Sequence, residues 1–354
     1  MESTSLIQLL TYTALMASSI FIPLQAAGFG ASPGIVGIIV GAYNAFFLLS
    51  SYLFGLLADK HGGRTILRVG LILSALFFAV QVLAHDIFSL LLVRSLAGAA
   101  AGIFPAALTV YAYTEQKGKL GRFTGFGSLG WSFGSILAGF IVYYQTLYAL
   151  SALFFLAAFL IALRLKHPCH EPKKINFVPF RLVKRNARVY LPYFFRSLGA
   201  QAIWAIFPLY LVWIGADKLM VGVIYFINLF AQFIIMLYVE KFHNLYLVNI
   251  GLLCSVLTFL GYALFPNIAM VIVLQLLLAF SFSTLIVGAQ QELLSKNVEQ
   301  SSTMSVFNSI TNLTAVIGPF AAGAIAECCG YPGVMWAGAG ATFVGLVAFT
   351  SVLE

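Results

Sequence analysis

The stretch Gly55-Leu-Leu-Ala-Asp59-Lys60-His-Gly62-Gly63-Arg64-Thr-Ile-Leu67 decides how this chain is read. It is a charged, glycine-bearing turn between two long apolar runs, residues 33–57 and 66–84. A helix that crosses a bilayer needs roughly 20 apolar residues. The glycines let the backbone turn tightly and let helices approach, while the acid and the bases stand at a membrane edge, where they pair with each other or with helix ends.

Outward from this turn the pattern repeats along the whole chain. Twelve apolar runs are read, residues 6–27, 33–57, 66–84, 87–113, 123–144, 146–165, 189–214, 219–239, 245–265, 268–291, 302–326 and 332–353, numbered here as spans 1 to 12. With 61% of 354 residues hydrophobic and 8% charged, a soluble domain would expose more apolar surface than water tolerates. A membrane barrel would show strands of about ten residues alternating in polarity. The runs do not, so the fold class is an all-α membrane protein. Span 1 follows Glu2 with no basic residue before it and is too long for a signal-peptide core, so it is expected to remain as a helix.

Basic residues orient the spans, because cytoplasmic loops collect Lys and Arg. Lys60, Arg64 and Arg68 lie between spans 2 and 3, Lys117, Lys119 and Arg122 between spans 4 and 5, and Lys241 and Lys296 in later loops of the same parity. The segment from Arg164 to Arg188 adds Lys166, Lys173, Lys174, Arg181, Lys184 and Arg185, whereas the opposite loops hold only Lys218. Both termini are therefore expected in the cytoplasm, with the chain multi-pass in the cytoplasmic (inner or plasma) membrane. The +8 net charge follows from the same rule and from attraction to anionic lipids at the cytoplasmic face. A nucleic-acid partner would need a folded basic surface that is not visible here.

Cys169, Cys254, Cys328 and Cys329 give no disulfide framework, since two are adjacent and one sits in the basic segment. His167, Cys169 and His170, broken by Pro168, read as linker rather than as metal ligands, so neither metal nor cofactor is expected. Residues 166–188, with Pro168, Pro172 and Pro179, form the expected cytoplasmic linker between an N-terminal six-helix bundle (1–165) and a C-terminal one (189–354). The halves share landmarks: Phe21-Ile22-Pro23-Leu24 returns as Ile206-Phe207-Pro208-Leu209, Gly30-Ala31 as Gly215-Ala216, and Gly37 as Gly222. Gly134 to Gly139 resembles Gly318 to Gly323 with a shift of one residue. An even number of spans separates the copies, which describes a parallel repeat about an axis along the membrane normal.

The Gly55 to Leu67 turn resembles the signature loop between helices two and three of the major facilitator superfamily. The match lies at Gly55, Asp59, Lys60, Gly62 and Arg64, with Gly63 where a first basic residue is common. With the twelve spans, the central linker and the repeat, the resemblance covers the whole chain and implies a secondary transporter working by alternating access on a small-molecule substrate. It also implies that Asp59 and Arg64 belong to a cytoplasmic gate that holds the halves together when the site faces outward, with Glu115 as a partner for Arg64; the plainer alternative is a loop that only fixes topology. Glu240-Lys241-Phe-His243, at the corresponding place in the second half, lacks the glycines. In span 4, Arg94, Gly98 and Gly102 share one face, on which small residues admit a neighbouring helix. That stretch resembles the Arg-then-Gly motif of drug and proton antiporters in the family, with Ala97 in place of the usual Gln. Span 5 carries Gly130, Gly134 and Ala138 but lacks the antiporter Gly-Pro pair, which appears as Gly318-Pro319 in span 11. A proton-coupled drug efflux antiporter is thus the alternative to a carrier of small organic solutes.

Charge inside a bilayer is expensive and marks function by default. Arg94 and Arg196 qualify, each roughly 10 Å inside its span, on helices that line the central cavity in the resembled family. Two guanidinium groups with no acid in the spans would favour a small organic anion held by forked hydrogen bonds; the alternative is that each snorkels to an interface or meets a backbone carbonyl. Neutral polar residues fall on single faces: Tyr225, Asn228 and Gln232 in span 8, Asn308 and Asn312 in span 11, and Gln8, Tyr12 and Ser19 in span 1. Asn44, Trp131, Gln201 and Trp204, with Gln25, Tyr210 and Gln275, complete the substrate candidates, for all of which interhelical bonding or packing is the competing account. No phosphate-cradling loop is present, so energy is expected from a gradient or from exchange. Asp59, Glu115, Glu292 and Glu327 all fall near span ends, which leaves protons or a counter-transported anion open as the coupling partner. The five histidines lie in loops or at helix ends without a nucleophile motif, which argues against an enzyme. Solute flux without product formation separates a carrier from an enzyme or a transporter-like receptor.

Overall fold

A computed structural model describes residues 2–61, 63–115, 121–165, 180–239, 244–297 and 300–351, and all regular structure among them is helical. Among the described residues, ten helical segments are long and apolar enough to cross a membrane. One of them, within Gln300–Ser351, breaks at Gly330 into spans 11 and 12, and Gly121–Phe140 supplies span 5, so twelve crossings result. Outward-facing side chains such as Leu76, Phe88, Leu153, Leu160 and Phe343 are exposed, as expected where lipid is the solvent. The linker residues 166–179 and the metal-ligand candidates within them lie outside the described residues, as does Glu240-Lys241-Phe-His243.

Prolines locate the bends. Span 1 runs Ser3–Ser19 and resumes as Ile22–Gly28 around Pro23, and span 4 runs Ile87–Ala101 and resumes as Pro105–Glu115. Each proline lacks an N–H and its ring crowds the preceding turn, so an apolar run that reads as continuous is interrupted there. Span 5 ends at Phe140 rather than at 144, because residues 141–143 leave the helix before Tyr144–Ala162 begins span 6. This turns the carbonyls of Ile141 and Val142 towards the other half. Spans 2 and 3 are Pro33–His61 and Gly63–Val80, and spans 7 to 10 are Ala187–Trp213, Lys218–Val239, Asn244–Leu264 and Ile268–Lys296.

The internal repeat is visible in hydrogen bonds. Span 1 ends with Gly30 at φ 84 and span 7 with Gly215 at φ 96, a left-handed conformation that glycine adopts without strain. Gly30 N–H donates to Ala27 and Ala31 N–H to Ala26; Gly215 N–H donates to Val212 and Ala216 N–H to Leu211. Both pairs make the same two-bond helix stop, in which an N–H five residues on closes over the last turn.

Repeated glycines also make the contacts between halves. At the junction of spans 2 and 11, a Cβ on Gly37 would sit 2.4 Å from the Pro319 carbonyl oxygen and 3.0 Å from the Gly323 Cα. At the junction of spans 8 and 5, a Cβ on Gly222 would sit 2.7 Å from the Ser135 carbonyl oxygen and 2.8 Å from the Gly139 Cα. Both junctions lie towards the end of the bundle away from the linker, termed the distal end. A buried apolar cluster fills the space between them, joining Ile20, Phe21 and Ala138 of the first half to Phe207, Tyr210, Val221 and Ala322 of the second.

A side chain at either junction must push two backbones apart. Gly222→Val is expected to lower stability by about 1–3 kcal/mol, the usual cost of overpacking, read as a fall in apparent melting temperature in detergent. Gly340→Ala, where nothing lies within 4 Å of the added carbon, is expected to leave it unchanged or raise it.

Candidate functional site

Below the distal seal lies a cavity of about 270 Å³ lined by Tyr12, Leu15, Met16, Ser19, Tyr43, Asn44, Phe47, Trp131, Asn312 and Ala315. Spans 1, 2 and 5 of the first half and span 11 of the second contribute. Tyr12, Trp131, Asn44 and Asn312 stand nine to twelve residues from the first residues of their helices. At 1.5 Å per residue that is about 14–18 Å, close to the middle of a bilayer.

The walls are aromatic and neutral. The rings of Tyr12 and Trp131 stack at 5.3 Å with 28° between their planes. Asn44 donates through Nδ2 to the Val40 carbonyl at 3.0 Å, which leaves its Oδ1 for the cavity. Asn312 faces it from the other half. No Asp, Glu, Lys or Arg is among the lining residues. The arrangement can sandwich a flat solute against the aromatic pair and satisfy polar edges through two carboxamides.

Arg94 stands one layer behind this wall. Its guanidinium donates to Gln81 Oε1 at 3.0 Å and to Ser19 Oγ at 3.2 Å, and lies 4.1 Å from the centre of the Tyr43 ring. It therefore fixes two lining residues, one on span 1 and one on span 2, without lining the cavity itself. The small face of span 4 explains how span 2 comes so close: a Cβ on Gly98 would meet the Tyr43 carbonyl oxygen, and one on Gly102 the Phe47 carbonyl oxygen, both at 2.3 Å.

Most of the other candidates are placed elsewhere. Arg196 is buried, donates to Ser255 Oγ at 3.0 Å and lies 5.3 Å from the Phe282 ring centre. Asn228 donates to the Gln275 carbonyl at 2.9 Å and Gln232 to Asn228 Oδ1 at 2.6 Å, tying spans 8 and 10 together. Trp204 packs on Tyr225 at 4.9 Å. Gln201, Trp204 and Tyr225 do not line the cavity, and Asn308 lies one turn from Asn312 and is exposed. Periodicity marks these faces as turned from lipid, but it does not separate a cavity from a neighbouring helix. Tyr43 and Phe47 also line the cavity; in the sequence an aromatic at helical spacing looks like packing, and no pattern there singles them out.

Of the gate residues, Gly62 lies outside the described residues, and so do the side chains of Asp59 and Lys60. Gly55 faces Ala106, and Gly63 faces Ala107 and Tyr111. Glu115, expected beside Arg64, instead accepts from the N–H groups of Ser3 at 3.2 Å and Thr4 at 3.0 Å and from the Thr4 hydroxyl, at the start of span 1. Helix starts attract carboxylates because their N–H groups are unpaired. Among the described residues, no hydrogen bond or ion pair of Arg64 or Glu115 crosses between the halves.

Loss of the stack is expected to weaken binding of any transported solute most: Trp131→Ala and Tyr12→Ala each by about 1–2 kcal/mol, roughly five- to thirtyfold. Gln81→Leu leaves the lining side chains in place and acts only through Arg94, so a smaller loss is expected. Ligand-induced thermal shift ranks the three variants.

The family model of the Major Facilitator Superfamily matches residues 4–301. Among solved structures, the nucleoside transporter NupG superposes with a TM-score of 0.79 at 13% identity, over 99% of this chain and 98% of that one. The human organic anion transporter MFSD10 (TETRAN) superposes with a TM-score of 0.75 at 16% identity, over 98% and 97%. A bacterial homologue of the human lysosomal transporter Spinster, in its inward-facing and unoccupied conformation, gives 0.73 at 14% identity, over 98% and 94%. At such identities the likeness is one of fold, and the substrate must be argued from the site. The family match over most of the chain, on twelve spans around a cavity between two repeated halves, establishes that this protein belongs to the Major Facilitator Superfamily.

Proposed function

We propose that the protein is a secondary carrier of the cytoplasmic membrane, with both termini and the linker in the cytoplasm, that moves a small, flat, uncharged organic solute by alternating access. The observation that carries this reading is the mid-membrane cavity walled by both halves, with aromatic and carboxamide groups and no ionised side chain among its lining. Desolvating a charged solute against such walls is costly unless a partner charge is met. A flat neutral solute instead gains contact area from the stacked pair and loses few hydrogen bonds. NupG, a nucleoside transporter, shares the fold; its solute class is the first to try.

A small organic anion is the second reading. It rests on Arg94, whose guanidinium lies behind Tyr43 and reaches lining Ser19, and on the likeness of fold to MFSD10, an organic anion transporter. In this reading Tyr43 swings aside and the guanidinium meets the anion. Drug efflux coupled to protons is less well supported, since no carboxylate lines the cavity and span 5 lacks the antiporter Gly-Pro pair.

Proteoliposomes holding the purified protein test the readings together. Uptake of a labelled nucleoside, saturable and absent from protein-free vesicles, is the expected result, with Arg94→Ala reducing rather than abolishing it. Uptake of an aromatic carboxylate alone, lost in Arg94→Ala and weakened by salt, would replace the neutral-solute reading with the anion. Repeating uptake with an imposed pH gradient reads out proton coupling directly.

A further inference from the structure

Two charges at the distal end sit at the wrong ends of their own helices. Lys218 is the first residue of span 8, where the helix dipole disfavours a cation, and Glu327 lies in the last turn before Gly330 in span 11, where it disfavours an anion. Span 8 is served at its own start by Asp217, whose carboxylate accepts from Met220 N–H at 2.7 Å. Among the described residues, neither misplaced charge makes a hydrogen bond or ion pair within its own half.

Each is at the right end of a helix in the other half. Lys218 Nζ donates to the carbonyls of Ile141 at 2.8 Å and Val142 at 2.7 Å, where span 5 runs out, and lies 4.9 Å and 4.4 Å from the ring centres of Phe21 and Tyr144. Glu327 accepts from the Ser32 hydroxyl and, at 3.2 Å, from Gly34 N–H, where span 2 begins. Gly34 leaves room for it: a Cβ there would fall 2.6 Å from the Glu327 Oε1. The two contacts stand at the two junctions that the internal repeat relates, one per junction, and both cross the line between halves. They lie distal to the glycine contacts of Gly37 with Gly323 and Gly222 with Gly139, and so at the rim of the seal above the cavity.

We propose that Lys218 and Glu327 form an external latch, in which the second half caps the unpaired helix ends of the first and so holds the cavity closed to the outside. The residues Asp59 and Arg64, which the family signature assigns to a gate, belong to the opposite end. When the outer ends separate, span 5 loses the cap on its carbonyls and span 2 the cap on its N–H groups, and Lys218 and Glu327 revert to positions that their own helices disfavour. Local helix preference is thus surrendered at both sites in favour of one state of the whole bundle. The latch rests on the orientation proposed above and is tested without a transported solute, so its failure and that of the carrier reading give different results.

The test is labelling of the cavity residue Ala315→Cys by a membrane-impermeant maleimide, with the four native cysteines replaced by serine, in vesicles of known orientation. The parent is expected to label slowly from outside. Lys218→Met and Glu327→Gln, which keep side-chain size, are expected to speed external labelling roughly two- to fivefold each and about tenfold together, while Lys218→Arg and Glu327→Asp stay near the parent. High salt screens such contacts, so it is expected to speed labelling of the parent but not of the double variant; this comparison decides the matter even where a single variant folds poorly. External labelling within twofold of the parent in the double variant, or a salt response unchanged by it, would overturn the latch and leave the carrier reading standing. A parent that labels equally fast from both sides would show an ungated cavity and overturn both.

Discussion

Backbone lies on backbone at two places between the halves, and the rest of the architecture depends on that approach. Gly37 with Gly323 and Gly222 with Gly139 remove the Cβ atoms that would otherwise hold spans 2 and 11, and spans 8 and 5, a side chain apart. In a bilayer no hydrophobic drive favours one apolar helix surface over lipid, so close packing and a few polar contacts must do the holding. The glycine contacts themselves can be parted and remade with little loss of side-chain packing, which suits surfaces that separate in every cycle.

The two halves differ in what they bring. The first supplies most of the cavity wall, with Arg94 and Gln81 behind it tying spans 1, 2, 3 and 4 together. The second supplies Asn312 and Ala315 and pairs several polar side chains internally: Arg196 with Ser255, Ser255 with Ser281, Asn228 with the Gln275 carbonyl, and Tyr193 with Thr311. Buried polar networks whose members are paired stiffen the element that holds them.

Much of this was legible in the chain. Gly30 and Gly215, matched by spacing alone, make the same left-handed helix stop, and Gly37 and Gly222 make equivalent contacts across the halves. The face of Arg94, Gly98 and Gly102 meets a neighbouring helix as small residues require. Partners were less legible. Glu115 in a basic loop looked like a mate for an arginine, yet the nearest unpaired donors were the first N–H groups of span 1, which no pattern of side chains announces. Asn228 and Asn312 read alike in sequence, and only packing makes one a strut and the other a cavity wall. Lys218 stood out as the lone base of the outer loops, but its role depends on where span 5 ends, and an apolar run does not show where its last carbonyl turns outward.

Pulsed electron resonance distances between spin labels address the central claim most directly. One pair, at positions 85 and 265, spans the distal end, and another, at 65 and 246, spans the linker end. The account predicts that a transported solute broadens or shifts both distributions in opposite senses, one end opening as the other closes about the mid-membrane cavity. Two distances that stay fixed, or that lengthen together, while solute continues to cross the membrane would contradict it.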